Sequence, residues 1–330
     1  MKKKLYQSLA LGVVITSIFC ASCKQELQNP VPQLFEENPA TITWDTSKSD
    51  CIDTFSATVF VYEDSNRRTG GAKLRSRYKM AIKTVADKQY VRLDFPATET
   101  IAAKSVLTNG VDTILVDTAT NTIEQKIIAT EAELKLIDDL GYIAFGQTVS
   151  KVNLSRIKAE AAKLSFDMSE NKKEGVFTVE LPSRYFTNDK ETRLSTKISY
   201  DTANELMETV ETVTEMEDGS IVTVTTCPVY ELLEDNQIIK IGQYSIIDTK
   251  SEVRYEGLED LEYVDSLDDI PEISGAEYEQ LAEEGNAVAI EEFPLGNPAD
   301  PSSVETVIEL YDTIEINVVD DSVFKLIMEL

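Results

Sequence analysis

Short runs in which apolar and polar side chains alternate with a period of two recur from residue 55 to the carboxyl end. They constrain the fold more than any other feature. Phe55, Ala57, Val59 and Val61 alternate with Ser56 and Thr58, and Tyr78, Met80 and Ile82 alternate with Arg77, Lys79 and Lys83. Val91, Leu93 and Phe95 alternate with Arg92 and Asp94. A period of two sends one set of side chains to each face of a half-buried strand. Further strands are expected at 101–108, 111–117, 122–128, 176–181, 194–200, 205–214, 220–226, 238–247 and 304–318. Asn109-Gly110 and Asp218-Gly219 separate two pairs of them. These dipeptides suit type I′ hairpins, whose two central residues both need positive φ.

Two helices are expected within this pattern. Thr130 and Glu133 form a capping box ahead of Leu134, Ile137 and Leu140, with Gly141 where a helix would end. A second helix starts after Asn153, where Leu154, Ile157, Ala161 and Leu164 make one stripe and Arg156, Lys158, Glu160 and Lys163 face away. So many one-sided strands expose more apolar surface than two short helices cover flat, so the sheet must curl or stack on another sheet. The expected class is mainly β (α+β). A curled antiparallel sheet forming an incomplete β-barrel, with a helical lid, would enclose an apolar cavity; a two-sheet sandwich would be filled. Periodicity alone does not choose between them.

Composition removes several functions. The chain carries 59 acidic and 31 basic residues, no histidine, and a formal charge of −28. Such acidity repels nucleic acid. Without histidine there is no His-based catalytic triad and no His-containing zinc site. No Gly-rich phosphate loop occurs, and carboxylate pairs are too common in this chain to signal acid or base catalysis. The expectation is a protein that is not an enzyme and needs no metal and no cofactor.

The amino terminus reads as an export segment. Lys2, Lys3 and Lys4 precede an apolar stretch from Leu5 to Phe19, which ends at Cys20-Ala21-Ser22-Cys23. Small residues before a cysteine in this setting resemble the lipobox of bacterial lipoproteins, which implies a signal peptide over 1–22 and lipidation of Cys23. Two or more acyl chains on that cysteine would anchor the chain stably to a membrane. Lys24 is not the aspartate that retains enteric lipoproteins at the inner membrane, so the expected location is the bacterial cell envelope, at the outer membrane. Residues 23–50, with Pro30, Pro32 and Pro39, are expected to be a tether, and 51–330 the folded domain. Export also permits a disulfide between Cys51 and Cys227, with two buried thiols as the alternative.

Charge is uneven along the domain. Between Glu256 and Glu292 there are 14 acidic residues and no basic one. An acidic insertion is expected at about 256–302, as a solvated excursion or as a docking surface for a cationic protein partner. A weak calcium site around Asp265, Asp268 and Asp269 is the other alternative, although their spacing is not that of an EF-hand loop. Arg67, Arg68, Lys73, Arg75, Arg77, Lys79 and Lys83 make a basic hairpin, which suits anionic headgroups or the wet face of an edge strand protected against pairing.

The order of segments adds a resemblance. Met80-Ala81-Ile82-Lys83 is followed by D-K-Q-Y-V-R-L-D-F-P at 87–96, V-L-T-N-G-V-D-T-I-L-V-D at 106–117 and T-N-T-I-E-Q at 120–125. The closing segment runs from Tyr311 to Asn317 and on through Asp320-Asp321-Ser322-Val323-Phe324. Together with the meander from Leu181 to Asp248, this resembles the outer-membrane lipoprotein carrier and sorting superfamily. There the last strand ends in an Asn before an Asp-capped turn and a buried Phe. The resemblance implies an incomplete barrel that holds acyl chains of lipid or lipoprotein in an apolar cavity, with no chemistry. Burial of about 0.8 kcal/mol per methylene suffices for such binding. The lining residues it implies are Phe55, Val59, Tyr78, Met80, Ile82, Val91, Leu93 and Phe95, with Leu134, Ile137, Ile157 and Leu164 from the helices. Neither Lys83 nor Arg92 matches securely the arginine that closes the carriers' lid. The function expected is a membrane-anchored envelope lipoprotein that binds acyl chains, in lipoprotein sorting to the outer membrane. The alternative is a non-enzymatic interaction or sensor lipoprotein with a filled β-sandwich core and an acidic docking surface.

Overall fold

The computed structural model describes residues 31–47, 51–68, 71–85, 88–98, 101–128, 149–181, 191–233, 237–252, 254–257, 295–297 and 299–329. Cys23, the helix expected from Thr130 with its Leu134 and Ile137, and most of the acidic insertion, including Asp265, Asp268 and Asp269, lie outside them.

The strands run β1 (Ile42–Trp44), β2 (Thr54–Ser65), β3 (Lys73–Val85), β4 (Lys88–Phe95), β5 (Lys104–Thr108), β6 (Thr113–Asp117) and β7 (Thr122–Ile127). After helix α2 (Leu154–Lys163) they continue as β8 (Asp167–Asn171), β9 (Val176–Leu181), β10 (Glu191–Asp201), β11 (Leu206–Met216), β12 (Ile221–Leu232), β13 (Ile238–Lys250) and β14 (Ser303–Ile316). All join one sheet in the order β7-β6-β5-β4-β3-β2-β14-β13-β12-β11-β10-β9-β8, with β1 added parallel to the end of β14. Among the described residues the sheet does not close on itself: β7 and β8 are its two edges. The mainly β class and the open, incomplete barrel both hold.

Cross-strand partners share a face, so register traces one side across the sheet. Val179 pairs Ile198, which pairs Val210, then Thr226, Ser245 and Val307. Two residues along, Gln243 pairs Glu309, Glu309 pairs Val61, and Val59 pairs Tyr78. We call this side the inner face. Helix α2 (Leu154–Lys163) packs on it, burying Leu154, Ile157 and Ala161 against Phe177, Val179 and Ile198. Its start is capped as expected, by Asn153 Oδ1 accepting from Arg156 N at 2.9 Å.

Two helical segments that the periodicity does not announce cover the outer face. Helix α1 (Val31–Glu37) places Phe35 against Cys227, Val229, Tyr244, Ile308 and Leu310. The carboxyl end forms a 3₁₀ turn (Asp321–Phe324) that leads into α3 (Lys325–Met328). Phe324 and Ile327 pack there on Leu107, Ile114 and Val116. The Asp-capped turn and buried Phe are as expected: Asp320 Oδ1 accepts from Ser322 N at 2.8 Å, and Phe324 is fully buried. Lys83 and Arg92 hold this segment in place. Lys83 Nζ lies 2.5 Å from Asp321 Oδ1, and an Arg92 Nη1 donates to the Val323 carbonyl at 3.2 Å.

Several expectations are corrected. The tether over 23–50 is, from residue 31, part of the fold: α1 buries Phe35 and β1 pairs with Ile314–Ile316. Cys51 and Cys227 are thiols rather than a disulfide, one exposed and one buried. Cys227 lies mid-strand opposite Tyr244, under α1, whereas Cys51 precedes β2 and gives its carbonyl to Asn317 Nδ2 at 2.7 Å. The two hairpins form without type I′ turns. In each only the glycine has positive φ, Gly110 at 83° and Gly219 at 81°. The preceding side chain does the turning: Asn109 Oδ1 accepts from Val111 N and Asp112 N, and Asp218 Oδ1 from Ser220 N. Strand β12 runs through Pro228 rather than stopping before it, beside a bulge of the kind where sheets tolerate proline. Strand β8 is exposed along its length, so it has no apolar face for a period to reveal.

Asn317 closes the domain. It sits at φ 60°, a conformation that asparagine tolerates better than most residues. Its Oδ1 accepts from Asp53 N at 2.9 Å and Thr54 N at 3.2 Å, tying the end of β14 to the start of β2.

Candidate ligand-binding face

Eight of the expected lining residues fall on one side of β2, β3 and β4. Phe55 pairs Ile82, which pairs Val91; Val59 pairs Tyr78; and Met80 pairs Leu93. Phe95 continues the row, its ring centroid 5.4 Å from that of Tyr78. Alternation alone put them there, as the period predicts. Their burial is graded. Phe55 and Val59 are fully buried and Ile82 nearly so, among Val149, Tyr311, Ile314 and Ile316. Tyr78, Met80, Val91 and Leu93 are half-buried, and Phe95 is 38% exposed. Among the described residues, the inner face is therefore sealed at β2 and β14 and only partly covered at β3 and β4.

Ile157 and Leu164 are not brought to these eight. Both belong to the cluster between α2 and β9–β10, on the same face but toward the β8 edge. The expected set thus divides into a filled core under α2 and an apolar surface on β2–β4.

A polar group on the inner face went undetected by periodicity. Lys240 is 5% exposed, and its Nζ donates to Gln243 Oε1 at 2.7 Å. Gln243 Nε2 donates to Glu309 Oε2 at 2.9 Å, and Glu309 also accepts from the Tyr78 hydroxyl. The ammonium lies 5.7 Å from the ring centroid of buried Tyr311, and the Tyr230 hydroxyl donates to the Met207 carbonyl at 3.1 Å. Burial pulls the Lys240 ammonium down to about 8, against the opposing pull of Glu309. Burial raises Glu309 above the usual carboxylate range, opposed by Lys240, Gln243 and Tyr78. Burial also raises the hydroxyls of Tyr78, Tyr230 and Tyr311, so all three keep their protons.

A β-bulge puts Lys240 there. Val229 pairs Gly242 but Tyr230 pairs Lys240, so Ile241 is extra in β13 and the strand's alternation reverses. The signal was a lysine inside Ile238-Ile239-Lys240-Ile241, and a glutamate inside Ile308-Glu309-Leu310, each a charge set in an apolar run.

The basic hairpin is not the wet face of an edge strand, because β3 lies between β2 and β4, and part of it is structural. Arg67 donates to the carbonyls of Asn297 (2.8 Å), Ser302 (3.3 Å) and Asp300, and Arg75 pairs with Glu63 at 3.1 Å. Tyr255 N donates to the Ala299 carbonyl at 2.8 Å, so the two ends of the 251–302 connection meet beside the β2–β3 turn. No group of acidic or cysteine side chains suited to a metal ion occurs among the described residues. No described helix is long and apolar enough to cross a membrane.

No family model matches the chain, and no curated protein matches it. Among solved structures it is similar to the crystal structure of a LolA superfamily protein from Nitrosomonas europaea, with 9% identity and a TM-score of 0.36, over 82% of this chain and 90% of that one. A likeness this distant assigns neither family nor function.

Proposed function

We propose that this chain is a non-catalytic envelope lipoprotein, anchored through Cys23 at the outer membrane, that holds the acyl chains of a lipid or lipoprotein on the inner face of its open sheet. The observation that carries this reading is the row Tyr78, Met80, Val91, Leu93 and Phe95. It is apolar, continuous with a packed core, and incompletely covered. A soluble protein seldom leaves such a continuous apolar surface open unless something occupies it. The order of sequence motifs that resembles the lipoprotein carriers points the same way, and so does the export segment.

The Cys23→Ser protein, purified from a bacterial host without detergent, is expected to carry phospholipid or fatty acid, seen by mass spectrometry of an organic extract. Protein free of lipid would contradict the proposal. That outcome would favour an interaction protein with a filled interior, the reading that the complete burial of Phe55 and Val59 supports.

A further inference from the structure

We propose that the outer face of β2 and β3 docks on the anionic leaflet that holds the anchor, so that the inner face points away from the membrane. This rests on the lipidation of Cys23 in the proposed function and adds the surface that the anchored domain presents. Arg77 and Lys79 are exposed on the outer face of β3, in register with Phe60 and Thr58 of β2. A bulge opposite Val61 and Tyr62 reverses the alternation of β3 and brings Leu74, 53% exposed, to the same face beside Tyr62. Cations beside a protruding leucine match an anionic bilayer surface, which offers headgroups to the first and its acyl boundary to the second.

Local charge, more than the total, decides this encounter. At physiological salt, charges more than about 8 Å away are largely screened, so the −28 of the whole chain weighs little at one strip of sheet. Between Thr54 and Phe95 there are nine basic and four acidic residues. Two of those acids are already engaged, Glu63 by Arg75 at 3.1 Å and Asp94, across from Lys79, by Arg92 at 2.8 Å. Each cation near an anionic surface is worth about fivefold, so Arg77 and Lys79 together favour contact roughly 25-fold. That is weak for a protein free in solution, but it sets the orientation of one already tethered to the surface. The tether is long enough. The eight steps from Cys23 to Val31 span at most about 28 Å. Helix α1 packs Phe35 on Leu310, Leu310 pairs Phe60, and Phe60 pairs Arg77, which is two strand spacings, or about 10 Å.

The test places the full acylated protein on vesicles of phosphatidylcholine, with or without phosphatidylglycerol. Flotation checks the anchor, and acetylation of lysines, read by mass spectrometry, maps the docked face. With phosphatidylglycerol present, Lys79 is expected to react roughly fivefold or more slowly. Lys172 and Lys173, exposed at the β8–β9 turn on the far edge of the sheet, should react at an unchanged rate. Arg77→Glu should return Lys79 to its rate on phosphatidylcholine alone. Protein that floats but shows one Lys79 rate on both vesicles, or slowing of all three lysines alike, would overturn the docked face and leave the anchor standing. Protein that does not float would overturn the anchor, and this inference with it.

Discussion

Gly242→Ala is expected to lower the unfolding free energy by about 3 kcal/mol, the upper end of the cost of overpacking. A Cβ at this position would lie 2.3 Å from the Glu309 carbonyl oxygen and 2.5 Å from Cε1 of Phe35. The carbonyl belongs to the neighbouring strand and cannot swing aside, and the ring is held by the cluster under α1. At φ 158° the backbone is also one that side chains rarely adopt. Relief requires β13 and β14 to part or α1 to lift, and either gives up buried apolar surface. Urea unfolding followed by tryptophan fluorescence reads the change directly, because Trp44 is the one tryptophan of the chain. A loss below 0.5 kcal/mol would mean that the bulge and α1 are not tightly packed together.

Lys240→Met is expected to cost about 3 kcal/mol at pH 8, because it leaves the Glu309 carboxylate buried without its nearest cation. The deficit relative to the parent should shrink toward pH 5. Glu309 has a folded pKa already raised by burial, and losing Lys240 raises it further. A carboxyl raised on folding binds more protons folded than unfolded, so its contribution is present at low pH and is lost as pH rises through the folded value. Replacing both partners, Lys240→Met with Glu309→Leu, should restore parental stability or exceed it, since exchanging a buried charge pair for apolar residues is often neutral or stabilising. Thermal melts of the three proteins between pH 5 and 8 check this. A double variant as unstable as the single one would mean that the charges hold the fold together.

Much of this architecture is legible in the residues because it follows from short-range physics. Alternation from Phe55 to Phe95 places eight side chains on one face, Asn153 starts α2, and Asp320 with Phe324 caps and buries the carboxyl turn. The rest depends on partners distant in sequence. Lys240 faces inward only because one extra residue in β13 reverses the alternation, and the neighbour that favours this is Gly242, pressed by Phe35 from more than 200 residues away. Helix α1 hides in a proline-containing stretch because a single buried Phe35 gives no stripe. Strand β8 pairs along β9 while burying nothing, so its hydrogen bonds alone define it. Asn109 and Asp218 were expected to take positive φ themselves, but their carboxamide and carboxylate oxygens instead accept from backbone N–H groups beyond them, leaving that conformation to the glycine.

The central claim is that the inner face of β3 and β4 is where the ligand lies, and a titration with a fluorescent acyl probe tests it most directly. Leu93 is half-buried on that face, so Leu93→Lys can project its ammonium to water while keeping the strand. Lys79 is exposed on the opposite face of β3, across from Asp94, where Lys79→Glu leaves the inner face unchanged. The parent protein and Lys79→Glu should bind the probe saturably and alike, and Leu93→Lys should lose roughly tenfold or more of that affinity. Equal binding by all three proteins, or no binding by the parent, would contradict the account.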